Sequence, residues 1–180
     1  MAGHSFKHFV TITKHRHQVI KNCFRAGIPM QGLKHDLSKY SPSEFLTSAR
    51  HYVGTRSPNE LEREKYGFSY AWMHHKGRNR HHFEYWTDYS PITKQMSPVK
   101  MPLRFVVEMF CDRVAASKIY KGQAYTDSAP YEYFMRGKAR TLMHPETAEL
   151  TKKLLTMLKD EGEEKTFAFI RKELMKKGEY

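Results

Sequence analysis

Only two cysteines, Cys23 and Cys111, occur in the 180 residues. That count argues against a disulfide-stapled scaffold and leaves two buried thiols in a reducing cytoplasm as the expectation. No apolar run approaches the roughly 18 residues that span a bilayer. The opening MAGHSFKHF lacks the apolar stretch of an export signal. No low-complexity tract, repeat or clear linker divides the chain, so one domain over residues 1–180 is expected. Acidic residues are scarce: 19 against 31 basic ones, a net charge of +12. Such a balance points to an anionic partner, whether nucleic acid, nucleotide or phosphorylated metabolite.

Alternating strand patterns of useful length are also lacking, and the patterns present are helical. Phe6, Phe9, Val10, Thr13, His17, Ile20 and Phe24 recur at three- and four-residue steps before Gly27-Ile28-Pro29 breaks the helix. A short helix over 31–39 is expected to carry KHDLSKY. Ser41-Pro42-Ser43-Glu44 and Ser57-Pro58-Asn59-Glu60 read as capping boxes, starting helices to about His51 and Lys76. Pro102 opens a further helix to Lys121, and two periodic segments follow at about 145–159 and 163–177. The expected fold class is all-α, a bundle of six to eight helices with no sheet. A metal-site core would lie at about 5–121 and C-terminal helices at about 130–180.

Eleven histidines are many for this length. His17 lies on the apolar stripe of the first helix, where a histidine is either a satisfied core residue or a ligand. His15, off that stripe, is expected to face solvent. His35-Asp36 offers a neutral nitrogen beside an anionic oxygen, a set that suits Fe, Mn, Zn or Co, though adjacent helical residues point about 100° apart. In WMHHKGRNRHHFEYW, His75 follows Phe68 and Trp72 on one helix face. A turn at Gly77 would bring His81 and His82 back to the same centre. Asp112 stands on a stripe with Phe105, Met109, Ala116 and Ile119. A carboxylate there requires a cation or an ion pair, with Arg113 one possible base.

His17, then the adjacent pair His35-Asp36, then Asp112, each on its own helix, resembles the HD-domain superfamily of metal-dependent phosphohydrolases. The histidines in between resemble those of its bimetallic, HD-GYP-like members, and HDLSK matches their HDxxK form. No Gly-Tyr-Pro triplet follows, so cyclic-dinucleotide specificity is not implied, and Ser38 replaces the usual glycine. HDLSKYSPSEF with HHKGRNRHH also resembles an uncharacterised family of bacterial and phage proteins. The resemblance implies a helical fold with one or two divalent transition ions (Fe, Mn, Zn, Co or Ni). His17, His35, Asp36 and Asp112 would hold the first, and His75 with one or both of His81 and His82 the second, with Asp36 bridging. Asp36 and Lys39 would be the catalytic residues. Lys39, Arg78 and Arg80 would grip the phosphate of a nucleotide or other phosphoester, although Arg78 and Arg80 also read as plain surface charge.

The same ligand set, with Tyr40 nearby, permits an HD-fold di-iron oxygenase instead. A third reading is a non-enzymatic nucleic-acid-binding protein, resting on the charge and on KGRNRHHFEYW. Self-association is possible and no membrane role is indicated. Tyr131, Tyr133, Phe134 and Arg136 read as packing residues or as the wall of a pocket.

Overall fold

The first turn of the fold is set by a helix C-terminus. Helix α1 (Ala2–Ala26) ends where Gly27 takes φ 83°. There the Gly27 N–H donates to the Phe24 carbonyl, and the Ile28 N–H reaches back to that of Cys23 at 2.9 Å. This paired bonding is the glycine-terminated helix end, and it folds α2 (Pro29–Lys34) back onto α1. The computed structural model describes residues 2–180, with side chains from Ser5 onward. Their architecture is an all-α helical bundle, as the periodicity indicates.

Gly32 is the contact point of α1 and α2. A Cβ on it would stand 2.7 Å from the Cys23 Cβ and 3.1 Å from the Ile20 Cα. Gly32→Ala must therefore move α2, which directly precedes His35-Asp36. The expected outcome is a loss of about 1–3 kcal/mol, the usual cost of overpacking, together with reduced metal retention. Denaturant unfolding and metal analysis of the same preparation check both.

The expected helix over 31–39 is corrected. It breaks at His35, whose extended ψ of 128° is followed by Asp36 in the left-handed region at φ 52°. A 3-10 turn (Leu37–Tyr40) then leads to α3 (Pro42–Arg50). Prolines do open α3 and α4 (Pro58–Tyr66), but neither Ser41 nor Ser57 makes a side-chain cap bond, so the capping boxes do not form. The helix expected to reach Lys76 stops at Gly67, φ 81°. A new one, α5 (Tyr70–Lys76), starts where Ser69 accepts the Trp72 N–H at 3.0 Å. Two three-residue strands, β1 (Thr87–Tyr89) and β2 (Met96–Pro98), pair antiparallel where no sheet was expected. They are too short for alternation to register.

Helix α6 (Leu103–Lys121) is the axis of the molecule, buried on most sides and packed against α1. Beyond it come α7 (Ala129–Arg136), α8 (Ala139–Leu142) and α9 (Pro145–Phe169), continued by a π-helical turn (Ile170–Leu174). Gly162 interrupts α9 with φ 82° and ψ 172°, at the break expected between the last two segments. The main core joins Val19, Cys23, Val106, Phe110, Leu154 and Ile170, and none of its fully buried members comes from residues 29–100. Both cysteines are buried and unpaired. Among the described residues no helix is long and apolar enough to cross a membrane.

Candidate metal centre

The buried face of α1 is not the one its large apolar residues mark. His8, Ile12, His15, Val19, Asn22, Cys23 and Ala26 face inward, while Phe6, Phe9 and Phe24 are exposed. His15 is thus in the cluster, 8% exposed. The expectation for His17 is corrected, because it points to solvent on the opposite side. The inward series is small and polar because α2 and α6 pack close to it. One tie is the buried bond from the Asn22 amide to the Cys111 carbonyl at 3.0 Å.

The break at His35 serves the site. In a continuous helix the two side chains would diverge; across the left-handed turn both enter one centre. Aspartate tolerates that conformation better than most residues. Arg16 on α1 holds the turn in place, donating to the carbonyls of Leu33 at 2.5 Å and His35 at 3.1 Å.

Two groups of ligand atoms meet at Asp36, which belongs to both. One is His15, His35, Asp36 and Asp112; the other is Asp36, His75, His81 and His82. Within each group the atoms lie within 4.8 Å of one another. Asp36 Oδ2 stands 3.2 Å from His35 Nε2, and Oδ1 stands 3.2 Å from His75 Nε2 and 3.5 Å from His81 Nε2. Asp112 Oδ1 is 2.9 Å from His15 Nε2 and 3.6 Å from His35 Nε2. It makes no ion pair with Arg113, whose guanidinium lies over the Phe134 ring instead.

The five Nε2 atoms and both Asp36 oxygens are buried and make no well-directed hydrogen bond, their short contacts being with one another, with Asp112 and with Lys39. Unpaired buried polar atoms are costly singly, and here they converge. Three of the five rings are oriented from behind. His35 Nδ1 and His81 Nδ1 donate to Glu108 Oε1 at 3.0 and 3.2 Å, and His75 Nδ1 donates to Glu44 Oε2 at 2.8 Å. A carboxylate on Nδ1 fixes the tautomer that leaves Nε2 free to bind a cation. The arrangement fits one or two metal ions.

Glu44 and Glu108 were not singled out in the sequence. Glu44 reads as a capping-box residue, yet it is 3% exposed and also bonds His74. Glu108 had a signal: it precedes Asp112 by one turn inside an otherwise apolar FVVEMF.

Electrostatics divide the histidines. Burial lowers His15, against the pull of Asp112, and lowers His82 well below the usual range, helped by its charged neighbours. Burial also works against charge on His35 and His75, but the Asp36 carboxylate overrides it and raises both. Asp36 and Asp112 are held well below the carboxylate range despite burial, Asp36 mainly by His35 and Lys39, and Asp112 by His15 and His35. Lys39 Nζ lies 2.6 Å from Asp36 Oδ2 with its side chain about a third exposed, at the edge of the centre.

Arg78 and Arg80 are not brought in. Both are exposed; Arg78 donates to the His74 carbonyl, and Arg80 lies over the Tyr85 ring. In the stretch KGRNRHHFEYW, His81 is buried, and Phe83 and Trp86 pack against the core. Tyr85, between them, is exposed. Tyr40 bonds Thr13 at 3.0 Å.

The comparison with known families places the chain. The model of a family of unknown function, DUF5662, matches residues 4–157. The chain belongs to that family. The DUF5662 match spans every residue of the two ligand groups, from His15 to Asp112. No curated protein and no solved structure matches the chain.

The choice between the two α1 histidines has a direct check. His15→Ala should weaken metal binding by about 100-fold or more, since it removes a candidate ligand. His17→Ala should leave it within about twofold, as an exposed substitution. Titration of chelator-treated protein with Mn or Zn measures both.

Proposed function

We propose that this chain is a metal-dependent phosphohydrolase acting on a nucleotide or other phosphoester through a binuclear centre shared at Asp36. One observation carries the reading: five buried Nε2 atoms without a well-directed hydrogen bond gather about the Asp36 carboxylate, which sits on a left-handed turn with Lys39 at its open side. The nitrogen and oxygen donors suit Fe, Mn, Zn, Co or Ni. The order of His15, His35-Asp36 and Asp112 along the chain keeps the likeness to HD-domain phosphohydrolases, with His15 in the place first given to His17.

Bound ions would supply Lewis acidity at a phosphoryl oxygen and a water made acidic enough to attack at neutral pH. The chain's own groups do the rest. Glu44 and Glu108 keep the imidazoles in register, so no reorganisation is needed when charge develops. Asp36 holds both halves of the centre at one carboxylate. Lys39, partly exposed beside Asp36, moves from that carboxylate to the phosphate oxygens, where its ammonium offsets their charge. The net charge of +12 draws the anionic substrate in.

The test is metal analysis of the purified protein, then a panel of nucleotides and phosphoesters with added Mn. Phosphate release by the wild type that disappears in Asp36→Asn supports the reading. Oxygen consumption with a mixed-valent di-iron signal and no phosphate release would replace it with an oxygenase.

A further inference from the structure

Beyond the metal centre, α6 carries a second unusual group. Arg113 follows Asp112 directly, so it leaves the helix about 100° away, towards α7. Its Nε is buried and has no hydrogen-bond partner. Its guanidinium stands 5.3 Å from the Phe134 ring centroid. The anionic groups nearest in effect are Asp112 and Glu84, and neither forms an ion pair with it among the described residues.

This guanidinium lines a cavity of about 300 Å³ at the C-terminal end of α7. Arg136 and Lys138, both exposed, line it too, with Tyr133 and Phe134 as aromatic walls. No acidic residue lines it. Three cations therefore face one concavity, and none of them is ion-paired among the described residues. Like charges left together cost free energy unless an anion joins them. A flat guanidinium with free donors is the side chain that best matches an oxyanion. The volume is at the lower end for a small-molecule site.

We propose that this cavity binds a small phosphate-class oxyanion, such as a phosphate or pyrophosphate group. Arg113 is the inner donor, and Arg136 and Lys138 close the site from outside. It is separate from the metal centre and needs no metal. Because Asp112 and Arg113 are consecutive on one helix, an anion held here sits behind a ligand of the centre.

Inorganic pyrophosphate is the probe, titrated calorimetrically into full-length protein freed of metal by chelation and dialysis. Saturable binding is expected, weakened at least about tenfold in Arg136→Ala/Lys138→Ala. Both positions are exposed, so the fold is not at risk. Arg78→Ala/Arg80→Ala removes the same charge elsewhere and should leave binding within about twofold; Asp36→Asn should do likewise. Absence of saturable binding, or an equal loss in the two double variants, overturns the proposal. Loss in Asp36→Asn does so as well, because the anion would then sit at the metal centre.

Discussion

Asp36→Asn is expected to strip the protein of its metal while leaving it folded. Asparagine shares the tolerance of aspartate for the left-handed conformation at φ 52°. It also keeps one oxygen and nearly the same volume, so the turn between His35 and Leu37 survives. What it loses is the negative charge that both ligand groups share. Without that charge His75, and in large part His35, lose the main force holding their protons, and Lys39 loses its partner. Metal affinity should fall by well over about 100-fold, more than removal of an orienting carboxylate costs. Any phosphohydrolase activity should fall with it. Metal analysis after dialysis, with circular dichroism as the check on folding, measures this. A folded Asp36→Asn protein with wild-type metal content would show that His35-Asp36 is not the centre.

The second large effect is on stability, and its sign follows from the histidines. At a free concentration about 1,000 times Kd, one ion should add about 4 kcal/mol, or about 8–16 °C in Tm for a chain of this size. At a fixed metal concentration the increment should grow with pH. His35 and His75 have folded-state pKa values raised above 6.5. Their contribution to metal-free stability is complete below pH 6.5 and is lost as pH rises through the raised values. A metal ion must displace those same protons, so affinity climbs as they leave, by up to about tenfold per pH unit per proton. Burial lowers His15 and His82, so they oppose an incoming ion less than His35 and His75 do. Thermal melts with and without Mn at pH 6 and pH 8 should therefore show a larger metal-induced shift at pH 8. An equal shift at both would mean that the ion does not compete with these protons.

Most of the site was legible because its residues come in a rigid order. His35-Asp36, the paired histidines on either side of Gly77, and Asp112 are conspicuous as buried-type polar residues among aromatics, and the structure brings them together. His17 misled for a physical reason. The large apolar side chains of α1 suggest one face, but close packing by Gly32 on α2 and by α6 demands small residues. The true inner face is thus built from His15, Cys23 and Ala26. Glu44 was hidden by its position three residues after a serine, where a capping role accounts for it equally well. The break at His35 had no local signal; the turn is held by Arg16, 19 residues earlier in the chain. The all-helical class needed only periodicity, while the small hairpin offered too few residues to show alternation.

The core has a gap in sequence: residues 29–100 contribute none of its fully buried members. That long middle segment packs on α1 through α2 and the aromatic side chain of α3, and its ties to α6 include His35 and His81, which meet Glu108 and belong to the groups that would hold ions. Chelation should therefore act less on the whole fold than on this segment. Amide hydrogens in α3 and α5 would exchange rapidly while those of α6 and α9 stay protected. Metal supply would then decide whether about two-fifths of the chain is folded or open to proteases, making the centre a determinant of the protein's lifetime as well as of its chemistry.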